Sequence, residues 1–457
     1  MPCSPCRPPG SSRVRGGKKS VPIPGRKLGI LTRPWCYVES VQYDADRVII
    51  VGAGIIGLCS AYHCLKAGRP VTLIDRAGPT NDGCSFGNAG MIVPSHFIPL
   101  AAPGIVAKGL KWLANPEGPF YIRPRANVDL IRWCRLFMNH ATQKHVMASR
   151  ELLRDLNLES RRLFVELARE TGVELTERGL LMLCNTDKGL HEEAEVAAMA
   201  NALGLEAEVC DPTRLRELDS AMEMDVKGGV WFKQDCHLDP AEFVQGLRRR
   251  VIEMGAEFVE DAVVTGLRKE GGGMVSLEGV RTPPGQQIVL ACGAWTSDLM
   301  KTIGLRIPMQ AGKGYSLTIE RPRELPGLCA ILAEAKVAVT PMHGKLRFAG
   351  TMEICGNDLS INARRVHGII RSVRKYFPSY RDEDFTGVEP WAGLRPCSPD
   401  GLPYVGRISG FSNLTVATGH SMMGLSMGPV TGRLVSELLG AGEPCLDIRR
   451  LEPLRFA

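Results

Sequence analysis

No stretch of about 18 consecutive apolar residues occurs in the chain, which excludes a membrane-spanning helix and leaves peripheral membrane contact open. A secretory hydrophobic segment is also missing. The nine histidines are dispersed, without an H-E-x-x-H pair, and no doubled C-x-x-C exists, so no metal centre is expected. Neither G-x-S-x-G nor G-x-x-x-x-G-K-[ST] is present, which removes the hydrolase nucleophile elbow and the nucleoside-triphosphate loop. No internal repeat of fixed period is found. Excess charge is scarce too: of the formal net +7, residues 1–46 supply eight Lys or Arg against three acids. The remaining body is therefore nearly neutral and gives no reason to expect nucleic acid.

Cysteine, by contrast, is plentiful. The fifteen cysteines are odd in number and scattered, and Cys59, Cys64, Cys134 and Cys292 stand in apolar or helical contexts, as reduced core cysteines of a cytoplasmic protein do. Cys3 and Cys6 form a lone C-x-x-C without partners. Residues 1–46 hold seven Pro and five Gly with little periodicity. The expected reading is an extraneous upstream stretch, because a fold can begin at Arg47 without it. A disordered basic arm and an Arg-rich transit segment are the alternatives. Hydrophobic content of 44% and charged content of 23% are those of a soluble globular chain with two or three domains.

The most informative segment runs from Arg47 to Asp75. Val48-Ile49-Ile50-Val51 reads as a buried strand, Gly52-Ala53-Gly54-Ile55-Ile56-Gly57 as a turn into a helix, and Val71-Thr72-Leu73-Ile74 as a second strand ending in an acid. Gly52 permits the turn, Gly54 lets the backbone approach phosphate oxygens, and Gly57 lets the helix lie close on the strand. The helix start offers free N–H groups and a favourable dipole to a pyrophosphate. Asp75, 18 residues beyond Gly57, can accept both ribose hydroxyls and would repel a 2′-phosphate, favouring NAD or FAD over NADP.

Farther along, residues 94–124 read as a proline-rich loop. Residues 128–139, 150–171 and 188–203 read as helices, and 179–184 as a buried strand. Asp239 and Pro240 open a helix to Met254. Strands are expected at 256–259, 262–267 and 287–291, and alternation over 312–354 predicts antiparallel strands. A helix follows near 363–377, a strand at 414–418 and a last helix at 428–439. Nucleotide-binding elements thus recur near residue 290, which makes that domain discontinuous with a second one inserted.

Four blocks carry a resemblance: Gly52 to Asp75; Ser85-Phe86-Gly87-Asn88-Ala89-Gly90; Gly312-Lys313-Gly314-Tyr315-Ser316; and Gly393-Leu394-Arg395-Pro396 with Asp400-Gly401-Leu402-Pro403. The close, Thr418-Gly419-His420 and then Gly424, belongs with them. From Arg47 to about Gly440 the chain resembles the D-amino-acid oxidase and glycine oxidase superfamily, and within it the small subunit of FAD-dependent D-amino acid dehydrogenases, a group that includes enzymes acting on cis-4-hydroxy-D-proline. Ser95-His96-Phe97 departs from the broader D-alanine type.

The resemblance implies an α/β fold: a discontinuous Rossmann-like FAD-binding domain (47–125, 235–305 and 391–445) with an inserted α+β substrate domain on a mostly antiparallel sheet (126–234 and 306–390). It implies oxidation of a D-amino acid by hydride transfer from the α-carbon to flavin N5, with electrons passed to a quinone or respiratory acceptor. An O2-using glycine, sarcosine or proline-type amine oxidase and a non-catalytic FAD-binding subunit are the alternatives. A partner subunit, a homo-oligomer and a peripheral place on the inner membrane are left open.

Residue by residue, Arg395 offers a guanidinium fork for a substrate carboxylate. Tyr315 supplies either a second hydrogen bond to that group or half-buried packing. His420 reads as a catalytic base or, more simply, as a local flavin contact beside Gly419. Ser85, Asn88, Ala89 and Gly90 are expected near the pyrophosphate or ribityl chain, with Gly52, Gly54, Ile55, Ile56, Gly57, Asp75 and Arg76 at the dinucleotide turn. By resemblance, Val264 marks an adenine contact, and Gly293, Trp295, Gly419 and Gly424 flank the cofactor. His96 and Met423 are candidate pocket liners.

Overall fold

The computed structural model describes residues 46–78, 83–113, 115–440 and 442–457. Residues 1–45, including Cys3 and Cys6, lie outside the described residues.

Two sheets organise the chain. The smaller has six strands in the order Tyr404–Arg407, Leu414–Thr418, Gln287–Leu290, Val48–Val51, Val71–Ile74 and Glu257–Val259. All neighbours are parallel except the Tyr404–Arg407 and Leu414–Thr418 pair. Val48–Val51 and Val71–Ile74 are buried throughout, as a sheet covered on both faces requires. Val48, Ile50 and Leu73 pack with helices Ile55–Lys66, Pro240–Glu253 and Gly428–Leu439. Ile49, Val51 and Ile74 pack on the other side, against the hairpin Gly266–Glu270/Met274–Glu278 and the helix Thr296–Thr302. The alternation is the period-two geometry of a strand.

The larger sheet has the order Trp391–Cys397, Gln310–Ile319, Lys345–Ile354, Val337–Met342, Cys329–Leu332, Leu180–Cys184, Gly228–Phe232 and Ala207–Cys210, with Phe120–Ile122 beside Lys345–Ile354. Only two of its pairings are parallel. Helix Ala363–Tyr376 covers one face through Val366, Ile369 and Val373. Leu153, Leu156 and Leu163 of helix Gln143–Thr171 pack on the other, against Leu180 and Met182.

Local signals explain most element ends. Asp239 accepts from the backbone N–H groups of Ala241 and Glu242, with Pro240 in the first turn. The long helix begins at Gln143 rather than 150, because Thr142 caps it by accepting from His145 N, and Gly172 ends it at φ +70°. Three expectations differ from what is found. Residues 94–124 hold the helix Ile105–Leu113 and the strand Phe120–Ile122, whose prolines flank the elements rather than interrupt them. Of 262–267, only the end enters a strand, Gly266–Glu270; the rest runs beside a cleft described below. Trp391–Cys397 and Phe120–Ile122, expected with the nucleotide-binding elements, pair instead into the larger sheet.

The helices Ile55–Lys66 and Gly428–Leu439 meet at a glycine. A Cβ on Gly432 would lie 2.3 Å from the backbone carbon of Cys59, which leaves no room without moving a helix. Gly432→Ala is therefore expected to destabilise the protein by about 1–3 kcal/mol, read as a lower urea midpoint.

Candidate active site

The glycine turn lies where the smaller sheet meets its first helix. Gly52 adopts φ +104°, and a Cβ there would stand 2.5 Å from the carbonyl oxygen of Ala291. A Cβ on Gly57 would fall 1.8 Å from Gly52 O, so only hydrogen allows this helix to lie so close to the strand. Gly54 caps the helix with no side-chain acceptor, and its first turn carries no acid. The positive helix end is thus left for an anion from elsewhere. Ser85 Oγ accepts from Ile55 N at 3.1 Å, which draws the glycine-rich loop onto that end. Asp75 braces the turn: its carboxylate accepts from Ala53 N at 2.6 Å and Ala77 N at 2.9 Å.

A cleft of about 370 Å³ runs along these groups. Gly52, Gly54, Ile55, Ile56, Asp75 and Arg76 line one end with Val264, Gly293 and Trp295. The Arg76 guanidinium lies 3.8 Å from the centre of the Trp295 ring, a cation–π pair that closes this end. Ser85, Asn88, His420 and Gly424 line the remainder. Gly57 and Gly419 do not border the cleft; Gly419 has φ +78°, and a Cβ there would meet the Tyr404 ring at 2.5 Å.

A second, apolar cavity of about 590 Å³ adjoins the first. The two share Cys84, Asn88, Arg395 and Met422. Ala89, His96 and Met423 line the second, among Trp112, Phe120, Trp133 and Phe137. Gly90 sits behind this wall at φ +78°, where a Cβ would come within 2.3 Å of Leu238 O.

Arg395 stands at the junction. Its guanidinium lies flat over Gly314, whose hypothetical Cβ would be 2.1 Å from Nη1. Nη1 donates to Thr351 O at 2.8 Å. Between Lys313 and Tyr315 the register with Lys345–Ile354 slips by a residue, a bulge at which Thr351 takes φ +67°. Such a φ is rare for a β-branched residue, and here it accompanies the carbonyl that holds the arginine. Among the described residues, no carboxylate forms an ion pair with Arg395.

Two expected catalytic side chains are engaged elsewhere. Tyr315 donates its hydroxyl to Glu353 at 3.1 Å and accepts from Asn362 N, and its side chain joins the core under helix Ala363–Tyr376. Its hydroxyl is thus taken by protein partners, although the residue also borders the apolar cavity. The reason is the pleat: Tyr315 points away from the face on which Gly314 meets Arg395. His420 places Nε2 2.9 Å from Thr431 Oγ1, and burial pushes its pKa down to about 3. A neutral imidazole so engaged is a poor base at physiological pH.

Sequence reasoning missed Arg347. From the larger sheet it donates to Phe86 O and to Asn88 O, the latter at 2.7 Å, and its Nε donates to Thr318. It fixes the 85–90 loop, in which Asn88 Oδ1 also accepts from Gly90 N. Trp391 was missed as well: its ring fills the space beside Gly87 and Gly393, where a Cβ would lie 2.2 and 2.1 Å away. The glycines at 87 and 393 are the signal that a large ring is near; nothing in the sequence marks Arg347.

Residues 47–438 match the family model described as FAD dependent oxidoreductase. The chain belongs to this FAD-dependent family. It is 32% identical to a D-amino acid dehydrogenase of Xanthobacter autotrophicus over 90% of this chain and 99% of that protein. A D-amino acid dehydrogenase of Rhizobium johnstonii is also 32% identical, over 90% of this chain and all of that protein. Among solved structures, glycine oxidase from Geobacillus kaustophilus superposes with a TM-score of 0.71 at 21% identity, covering 90% of this chain and 100% of that one. L-proline dehydrogenase from P. horikoshii gives 0.66 at 20% identity, covering 90% and 97%.

FAD is the cofactor of the family, and the residues fit it. The helix start, whose cap Gly54 offers no side-chain acceptor, suits a pyrophosphate and the Asp75 carboxylate a ribose, while a Cβ on Gly293 would meet no protein atom within 4 Å. Arg347→Met is expected to weaken FAD binding by ten-fold or more, about 1.4 kcal/mol, because two loop carbonyls lose their donor. FAD titration followed by flavin fluorescence measures it.

Proposed function

We propose that the protein is an FAD-dependent D-amino acid dehydrogenase. The carrying observation is Arg395, a guanidinium that forms no ion pair with a carboxylate among the described residues and lines both the cofactor cleft and the apolar cavity. Thr351 O takes one N–H, which leaves most of the fork for a substrate carboxylate. FAD, when bound, accepts the hydride from the substrate α-carbon. The chain's contribution is to seat and orient. Arg395 fixes the carboxylate, Gly314 gives the guanidinium its bed, and the aromatic wall excludes water from the side-chain half of the cavity.

A cavity of about 590 Å³ favours a D-amino acid with an apolar side chain or ring, such as D-proline or cis-4-hydroxy-D-proline, over glycine or sarcosine. The relatives named as D-amino acid dehydrogenases support the D configuration and an acceptor other than O2, for which a quinone or respiratory carrier is the reading proposed. No helix among the described residues is long and apolar enough to cross a membrane, so a membrane quinone would be met at the surface.

Anaerobic mixing with a panel of D- and L-amino acids tests the reading. A D-amino acid with an apolar side chain should bleach the flavin bands, and glycine should do so poorly. Arg395→Lys should keep FAD and lose about 10- to 100-fold in kcat/KM, since a lysine cannot make the paired hydrogen bonds. An Arg395→Lys enzyme with wild-type kinetics removes the proposal's foundation.

A further inference from the structure

Beside the carboxylate site runs a chain of three polar groups that the arginine does not use. Asp235, 1% exposed, accepts from Ser95 N at 3.0 Å through Oδ1 and from Ser95 Oγ at 2.5 Å through Oδ2. The same Ser95 Oγ lies 3.1 Å from His96 Nδ1. His96 borders the apolar cavity that Arg395 also borders. Its Nε2 has no hydrogen-bond partner among the described residues.

With Asp235 ionised, the order of donors sets the tautomer. A serine has one hydroxyl proton, and Ser95 gives it to the Asp235 carboxylate. Its oxygen then accepts from His96 Nδ1–H, and Nε2 is left as a bare lone pair on a residue that borders the apolar cavity.

We propose that His96, Ser95 and Asp235 form a proton relay that takes the proton of the substrate ammonium, a step that rests on the amino-acid reading above. An α-carbon releases hydride readily only when its nitrogen has a free electron pair to form the C=N bond, yet amino acids arrive as ammonium ions. In the relay the substrate N–H bond breaks and an Nε2–H bond forms. The Nδ1 proton passes to Ser95 Oγ, whose own proton passes to Asp235 Oδ2. One proton is gained by the carboxylate, one is lost by the substrate, and the imidazole ends neutral in the opposite tautomer. His96 is the group that touches substrate; Ser95 and Asp235 act through it.

Proton affinities run the same way. Burial pushes Asp235 up to about 7, against Ser95's hydrogen bonds and the charge of Arg161 on the long helix, which pull it down. Burial and Lys336 push His96 down to about 4. Cys236 and Cys329, the thiols nearest the carboxylate, stay protonated, pushed up chiefly by burial. The proton is thus held more firmly at the far end of the relay than on the imidazole. The relay works when Asp235 is ionised, so its contribution is present above pH about 7 and fades below it.

The test compares wild type, His96→Gln and Ser95→Ala, all FAD-loaded, by the rate of anaerobic flavin bleaching from pH 6 to 10 with the best D-amino acid. His96→Gln should lose about 100-fold at neutral pH and recover much of it at alkaline pH, where the amine deprotonates in water. Ser95→Ala should shift the profile in the same direction. Independently of turnover, 15N spectra of wild type at pH 8, assigned against His96→Gln, should show His96 protonated at Nδ1 and bare at Nε2. A His96→Gln enzyme with the wild-type pH profile, or one changed only in KM at every pH, overturns the relay, as does an Nε2–H tautomer. A wild-type flavin that no amino acid bleaches overturns the amino-acid reading, and with it the relay's substrate.

Discussion

A guanidinium set between two cavities, with no ion-paired acid among the described residues, is the constraint around which the larger sheet is shaped. A half-buried charge left unpaired is costly, so the site must supply compensation that a ligand can complete rather than replace. Three strands share the task. Trp391–Cys397 carries Arg395, Gln310–Ile319 gives the bare Gly314 beneath it, and Lys345–Ile354 offers Thr351 O from a bulge. Thr351 at φ +67° carries strain on the order of 1–3 kcal/mol, kept because a regular ladder would direct that carbonyl to the neighbouring strand. An internal carboxylate would have satisfied the arginine with less strain and would also have occupied the place of a substrate.

The second demand is that the arginine and the cofactor cleft hold a fixed relation, and residues 83–98 meet it. Ser85 ties this segment to the helix start of the smaller sheet, and Arg347 ties it to the larger. Gly87 admits the Trp391 ring from the strand that carries Arg395. Met91–Ile92 pairs with Cys236–His237, and Ser95 is held by Asp235. A loop so restrained is a joint rather than a tether: five ties in sixteen residues leave it few independent motions.

The parts legible in the sequence are those written in local chemistry. The dinucleotide turn is readable because each glycine answers a steric need within a few residues, and the helix at Pro240 because cap and proline stand together. Arg395 is readable as a free fork because a glycine and a leucine precede it, but its bed at Gly314 and its anchor at Thr351 come from strands 81 and 44 residues away, and only pairing joins them. Arg347 is illegible for the same reason: two of its three partners are backbone carbonyls, which have no sequence identity at all. Tyr315 stays ambiguous in the sequence because a tyrosine beside a functional glycine looks functional, and only the pleat shows that its side chain lies on the opposite face from the Gly314–Arg395 contact. The helix Ile105–Leu113 is hidden by prolines that in fact mark its flanks.

The two histidines near the site, His420 buried and His96 half-buried, show why burial alone does not make a base. Both are driven toward the neutral form, His420 to about 3 and His96 to about 4. His420 spends Nε2 on Thr431, a hydroxyl with no appetite for a second proton. His96 turns Nδ1 toward a serine that leads to a buried carboxylate, and burial raises that carboxylate's proton affinity while lowering the imidazole's. Desolvation acts on opposite charges with opposite sign, so the same dry surroundings that disqualify an isolated imidazole favour one coupled to an acid. A permanent charge, Arg395, suits a carboxylate that must be held throughout turnover; a titratable chain suits a proton that must leave. Having both border one cavity separates holding from proton removal.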